Sequence, residues 1–184
     1  MANNCWNNVT ITGNLDTLKK IESKFKSLEG EILTYMNYNK LFDTDVSDVE
    51  GEDWGPKWFT PSVSLEDNKL FIKGDSAWMP TIPLFELISD EYEVDCYMSF
   101  EETGMDFAGE MKWEKGDLVY NYDYTSWEFR YLNNKDEFYE EAEYAVVCYD
   151  SVNEWVHSLN LSKWKDEPTI DLERLQKFWE NEHN

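Results

Sequence analysis

The residues whose types and spacing could do chemistry are carboxylates and indoles rather than nucleophiles. Glu101, Glu102 and Asp106 lie within six positions of one another, and a carboxylate pair drawn from them could serve acid–base work. In so acidic a chain, carboxylates at a strand end read first as solvated charges. A second run, Asp43, Asp45, Asp48, Glu50, Glu52 and Asp53, contains no Lys or Arg. It lacks the sixth-place glycine and the closing bidentate Glu of an EF-hand loop, so no metal is expected there. Trp54, Lys57, Trp58 and Trp78 form the third group. Their indoles could stack on a nucleotide-type ligand, with Glu102, Gly104 and Phe107 completing such a site, or they could pack the sheet and its loops. His157 and His183 both fall near the C-terminus. No nucleophile motif, phosphate-cradling glycine loop or histidine-rich metal pattern accompanies them. The expectation is a protein without catalytic residues or cofactor.

Positioning these groups requires a folded core, and the composition supplies one: 41% of residues are hydrophobic and 16% aromatic, too many for a disordered acidic tail. The net charge of −23 sets a field that repels phosphate and attracts basic surfaces. Direct nucleic-acid and anionic-membrane binding are thereby disfavoured. The acidity reads either as solubility or as a partner-directed feature. Cys5, Cys96 and Cys148 make an odd count with no C-x-x-C spacing, so no disulfide framework is expected. Met1 to Asn4 carries no basic region ahead of an apolar run, and no segment nears the length of a membrane span. A soluble, cytoplasmic protein with reduced thiols is predicted.

The elements follow from periodicity. Residues 5–13 alternate as a strand, and Leu15, Leu18, Ile21, Phe25 and Leu28 fall on one helix face. Lys19, Lys20, Lys24 and Lys26 occupy the wet side of that helix. Residues 29–56 read as an acidic loop insertion. Residues 57–65 and 69–73 form a hairpin about Glu66-Asp67-Asn68. Pro80 and Pro83 open a helix through Ile82, Phe85 and Ile88, and Val94, Cys96, Met98 and Phe100 give a fourth strand with Cys96 facing inward.

Strand, helix, strand, strand, helix, strand is the order of a ferredoxin-like split βαβ domain. The fold class is therefore α+β. An extra hairpin over 105–131 extends the sheet, with Trp127 to Tyr131 as a further strand, so that the first domain covers 1–131. The remainder, 132–184, reads as an acidic helical segment with Glu137, Glu140, Glu141 and Glu143 on one helix, a short piece near Trp155, and a last helix after Pro168.

Four short motifs within this frame, in order, are similar to a known pattern. Cys5-Trp6-Asn7-Asn8-Val9, Trp54-Gly55-Pro56-Lys57-Trp58, Ala77-Trp78-Met79-Pro80 and Glu102 to Gly109 together resemble the Api92-like family, also described as YubB-type ferredoxin-like proteins of phages and plasmids. The likeness covers residues 5–113 and implies a ferredoxin-like fold and a mobile-element origin, with no activity attached. Acidity on a phage-type protein suggests a nucleic-acid mimic, since carboxylates three and four apart on a helix lie about 5 to 6 Å from one another. The expected partner is a basic host protein, a nuclease or defence factor, met by Asp43, Asp45, Asp48, Glu50, Glu52, Asp53, Glu137, Glu140, Glu141 and Glu143. Ligand binding through Trp54, Lys57, Trp58, Trp78, Glu102, Gly104 and Phe107 is the alternative, and a carboxylate-based enzyme a second one.

Overall fold

In the computed structural model, residues 3–34, 37–43, 55–161, 164 and 168–183 are described. They fall into two compact units, Met1–Asp123 and Tyr124–Asn184.

The first unit is a six-stranded sheet in the order β2-β3-β1-β4-β5-β6. Strand β1 (Asn4–Thr12) leads into α1 (Leu15–Ser27), then β2 (Phe59–Glu66), β3 (Lys69–Ala77), α2 (Ile82–Glu91), β4 (Asp95–Glu102), β5 (Phe107–Glu114) and β6 (Asp117–Tyr124). The expected split arrangement is present: β1 lies between β3 and β4 and is antiparallel to both. Alternation explains the sheet's buried face, since Cys5, Val9 and Ile11 are wholly buried on β1, as are Leu70 and Ile72 on β3 and Cys96 and Met98 on β4. Leu18, Ile21 and Phe25 of α1 and Leu84, Phe85 and Ile88 of α2 complete that core. Asn14 caps α1 by accepting from the Asp16 amide at 2.9 Å. The β2–β3 turn is made by Asp67 and Asn68, both with positive φ, as a two-residue hairpin requires.

The segment after α1 is less of a loop than its composition suggests. Leu33, Tyr38, Leu41 and Phe42 are buried in the main core, Tyr38–Leu41 forms a 3-10 turn, and Leu33 bridges to Phe59. Apolar side chains spaced along the stretch anchor it at least to Phe42. Residues 44–54, which hold most of the acidic run, lie outside the described residues.

The second unit contains α3 (Ser126–Asn133), α4 (Lys135–Val146), α5 (Val152–Ser158) and α6 (Leu172–His183). The strand expected over Trp127 to Tyr131 is instead helix α3. The alternation of Trp127, Phe129 and Tyr131 suggested a strand, but Thr125 accepts from the Glu128 amide at 3.1 Å and starts a helical turn. Trp127 and Tyr131, four residues apart, then both meet the ring of Phe138. Phe138, Ala142, Val146, Trp155 and Leu175 form this unit's own core. No described helix is long and apolar enough to cross a membrane.

Candidate functional site

The antiparallel order brings the start of β1, β2 and β5 and the end of β3 and β4 to one end of the sheet, and the described residues of all four motifs gather there. Asn4 stands opposite Ala77, Phe59 opposite Ser76, Trp6 opposite Glu101, and Glu102 opposite Phe107.

Asn7 ties this end together. It falls on the buried face of β1, between Cys5 and Val9, where an apolar residue is expected, and it is fully buried. Its Nδ2 donates to the Cys5 carbonyl at 2.8 Å, the Gly74 carbonyl at 3.2 Å and Ser76 Oγ at 2.8 Å. Its Oδ1 accepts from the Thr81 amide at 3.0 Å and from Thr81 Oγ1 at 3.2 Å. Ser76 Oγ in turn donates to the Met79 carbonyl at 2.6 Å. One amide therefore joins β1, β3 and the entry to α2, with both of its polar atoms satisfied. Sequence reading named Asn7 only as part of the Cys5 to Val9 motif, with no role attached, and did not single out Ser76 or Thr81. The available signal was a polar residue on the apolar parity of a strand.

A second fastening closes the β4–β5 turn. Glu102 is buried, and its carboxylate accepts from the amides of Gly104 at 3.1 Å and Met105 at 2.5 Å. This makes Glu102 a turn-forming acceptor rather than a free acid–base group. Gly104 sits close to Asn3: a Cβ there would stand 2.5 Å from Nδ2 of the exposed Asn3 side chain, which would have to move. Asn3 also accepts from the Trp78 amide at 2.9 Å through its carbonyl, so residue 3 abuts both the Trp78 loop and the β4–β5 turn. A Cβ on Gly55, which holds φ at +99°, would stand 3.3 Å from Cδ of Pro83 and 3.6 Å from the Pro80 carbonyl, so Gly55 lies against the segment that follows Ala77-Trp78-Met79-Pro80.

What these fastenings present is apolar and exposed. Trp78 is 48% exposed and Trp6 40%, and Met79, next to Trp78 in the chain, and Met105, in the β4–β5 turn, are exposed as well. Trp78 holds φ at +63°, a costly conformation for a bulky residue that the surrounding bonds impose. Trp6 pairs in register with Asp75 on one side and Glu101 on the other, and residues opposite in register share a face. The indole is thus flanked by two carboxylates.

The remaining predicted residues distribute as follows. Phe107 is half-buried with its ring 6.3 Å from that of Phe100, Trp58 is half-buried and accepts from the Ala77 amide through its carbonyl, and Lys57 is exposed. Trp54, Asp45, Asp48, Glu50, Glu52 and Asp53 lie outside the described residues. Asp43 is paired with Lys20 and, at 2.8 Å, with Lys24, and their ammonium groups hold its carboxyl below the usual range. In the second unit Glu141 pairs with Arg130 and Glu143 with Arg174. Glu137 accepts from Asn134 Nδ2 at the start of α4, which leaves Glu140 simply exposed. Of the described candidates, Trp58, Trp78, Glu102, Gly104 and Phe107 fall at one end of the sheet, whereas Asp43 follows α1 and the α4 carboxylates belong to the second unit. Among the described residues no group of three or more His, Cys, Asp or Glu side chains is placed to hold a metal ion. Burial pushes the Cys5 thiol up to about 12, with Asp75 and Glu102 adding to the effect, and raises Cys96 further. Neither is an activated nucleophile.

The sheet order and this fastened end define a ferredoxin-like α+β protein. Residues 57–144 match the family model described as the ferredoxin-like domain in Api92-like protein, the family that the motifs resemble. Among solved structures it is similar to the crystal structure of a protein api92 from Yersinia pseudotuberculosis, at 10% identity and a TM-score of 0.41, over 68% of this chain and 99% of that one. No curated protein matches the sequence.

Proposed function

We propose that this chain is a mobile-element accessory protein that acts by binding, and that its partner is a basic protein whose lysine or arginine side chains are received at the aromatic end of the sheet. The supporting observation is Trp6, exposed and flanked by Asp75 and Glu101, in a chain of net charge −23. An indole face between two carboxylates suits a cation with an apolar stem, which gains cation–π attraction and charge pairing together. Much of the chain's scarce positive charge is already paired internally: Lys20, Lys24, Lys26, Lys40, Lys112, Arg130 and Arg174 all stand in ion pairs. With a net charge of −23 the outward field is predominantly negative. A basic nucleic-acid-binding protein of the host, a nuclease or defence factor, would be steered to it and kept from its own polyanion.

The test is capture of host proteins on the tagged chain at low and high salt, repeated with Trp6→Ala and Trp78→Ala and with duplex DNA as competitor. Capture of a basic protein that salt and DNA both release, and that either substitution weakens, is the expected result. Capture unchanged by both substitutions would move the contact elsewhere, to the acidic run or α4. A nucleotide-type ligand stacking on Trp78 is the second reading, favoured by that residue's exposure. It predicts binding that responds to Trp78→Ala and hardly to salt.

A further inference from the structure

The two edges of the sheet are built differently. Edge strand β2 carries Pro61, which has no amide hydrogen to offer, and its first residue is occupied by Leu33, with Leu33 and Phe59 exchanging amide–carbonyl bonds at 2.9 Å. Both are ways in which proteins close an edge to further strands. The opposite edge, β6, has neither. Its sequence, Asp117-Leu-Val-Tyr-Asn-Tyr-Asp-Tyr124, contains no Pro, Gly, Lys or Arg, and among the described residues β6 neighbours β5 alone. Large apolar side chains stand exposed on both of its faces: Leu118 at 52% and Tyr122 on one, Val119 at 50% on the other. An uninterrupted edge strand of this kind is a template for another strand.

We propose that β6 is a docking edge that accepts an extended, cationic peptide segment of a partner protein by strand addition. Charge chooses the occupant. A second copy of this chain would bring another −23 and set Asp117 and Asp123 against like charges, which is unfavourable across a strand pair. A segment alternating apolar and basic residues meets both rows of β6. Its apolar side chains extend the row of Leu118, Tyr120 and Tyr122, whose two tyrosine rings are already stacked with centroids 5.1 Å apart. Its basic side chains extend the row of Val119, Asn121 and Asp123. This edge lies three strands away from Trp6 in the sheet order.

The probe is a short synthetic peptide alternating lysine and valine, titrated into the full chain with hydrogen exchange of the β6 amides as the readout. Three proteins are compared: wild type, Leu118→Lys/Val119→Lys on β6, and Ser62→Lys/Ser64→Lys on β2, which makes the same change in charge on the closed edge. Protection of residues 117–124 in the wild type, with affinity lowered at least about tenfold by the β6 pair and little by the β2 pair, is the expected result. Equal losses in both pairs would reduce the effect to net charge and overturn the proposal. So would protection confined to the start of β1 and the end of β3, which would place the peptide at Trp6. Absence of binding overturns it, as does sedimentation as a dimer that the β6 pair dissolves, since the occupant would then be a second copy.

Discussion

Replacing Asn7 by Ala removes the acceptor of two buried donors, the Thr81 amide at 3.0 Å and the Thr81 hydroxyl at 3.2 Å, and the donor to the Cys5 and Gly74 carbonyls and Ser76 Oγ. Ser76 keeps its bond to Met79, so the uncompensated groups are chiefly those of Thr81. At roughly 1 to 3 kcal/mol for each of these two buried groups left unsatisfied, the first unit should lose about 2 to 6 kcal/mol. A domain is typically stable by only about 5 to 15 kcal/mol, so that is a large share. Hydrogen exchange of β1 and β3 peptides reads it locally, as a corresponding fall in protection. Asn7→Asp sharpens the test. The aspartate keeps the acceptor for Thr81 but turns a carboxylate oxygen toward two carbonyls. Burial and those carbonyls raise its folded pKa above the unfolded value of about 3.9. The native state then binds the proton more tightly, so the deficit against wild type is smallest below the unfolded pKa and grows as pH rises toward the folded one. Urea unfolding at about pH 5 and about pH 8, each against wild type, measures it. A loss under about 1 kcal/mol for Asn7→Ala, or a pH-independent deficit for Asn7→Asp, would refute the idea that this amide fastens the sheet end.

Further outcomes follow from single contacts. Glu102→Ala should loosen the β4–β5 turn and cost about 2 kcal/mol, seen as faster exchange at Gly104 and Met105 whose amides it bonds. Trp78→Gly should leave stability unchanged or raise it by about 1 kcal/mol, because glycine accepts the positive φ freely, while partner capture falls; reduced stability would contradict the backbone account. The Asp43 carboxyl, held low by Lys20 and Lys24, should titrate below the ordinary range by NMR and move up in Lys20→Ala. The stability it lends is present above its unfolded pKa and lost as pH falls through the folded one. Alkylation of the native protein should label Cys148, the exposed thiol, before the buried Cys5 and Cys96, which react only on unfolding; mass spectrometry of labelled peptides decides it.

Much of the frame was legible because local pattern and tertiary role agree. Val9 and Ile11 alternate with polar residues on β1, Leu18, Ile21 and Phe25 recur at helical spacing, and Asp67-Asn68 sits where a two-residue turn must. Helix α3 was misread where two local signals conflict: Trp127, Phe129 and Tyr131 alternate as in a strand, while Thr125 and Glu128 form the start of a helix, and packing of Trp127 and Tyr131 on Phe138 decides for the helix. The state of the acidic candidates was not legible at all. Nothing local says that Asp43 meets Lys20 and Lys24 or that Glu143 meets Arg174, since each pair is separated by many residues. A carboxylate count over a stretch of chain overstates the charge that stretch shows to a partner.

The residues at the fastened end of the sheet divide by what they do, and the division decides which substitutions can speak to function. Asn7, Ser76, Thr81, Glu102 and Gly104 are occupied in holding the loops at the end of the sheet, by bonds or by close approach. Changing any of them alters the shape and the stability of that end together, so loss of binding in such a variant says nothing about contact. Trp6, Trp78, Met79 and Met105 are exposed and stand outside the buried core, so truncating them removes less packing than a change in the core. Asp75 and Glu101 lie between the two sets, half-buried beside Trp6. If a cation is received there, Asp75→Asn should weaken capture with stability nearly kept, and the salt dependence of what binding remains should become shallower, since one charge no longer takes part. An unaltered salt slope would mean that the carboxylate beside Trp6 is not the one the partner meets.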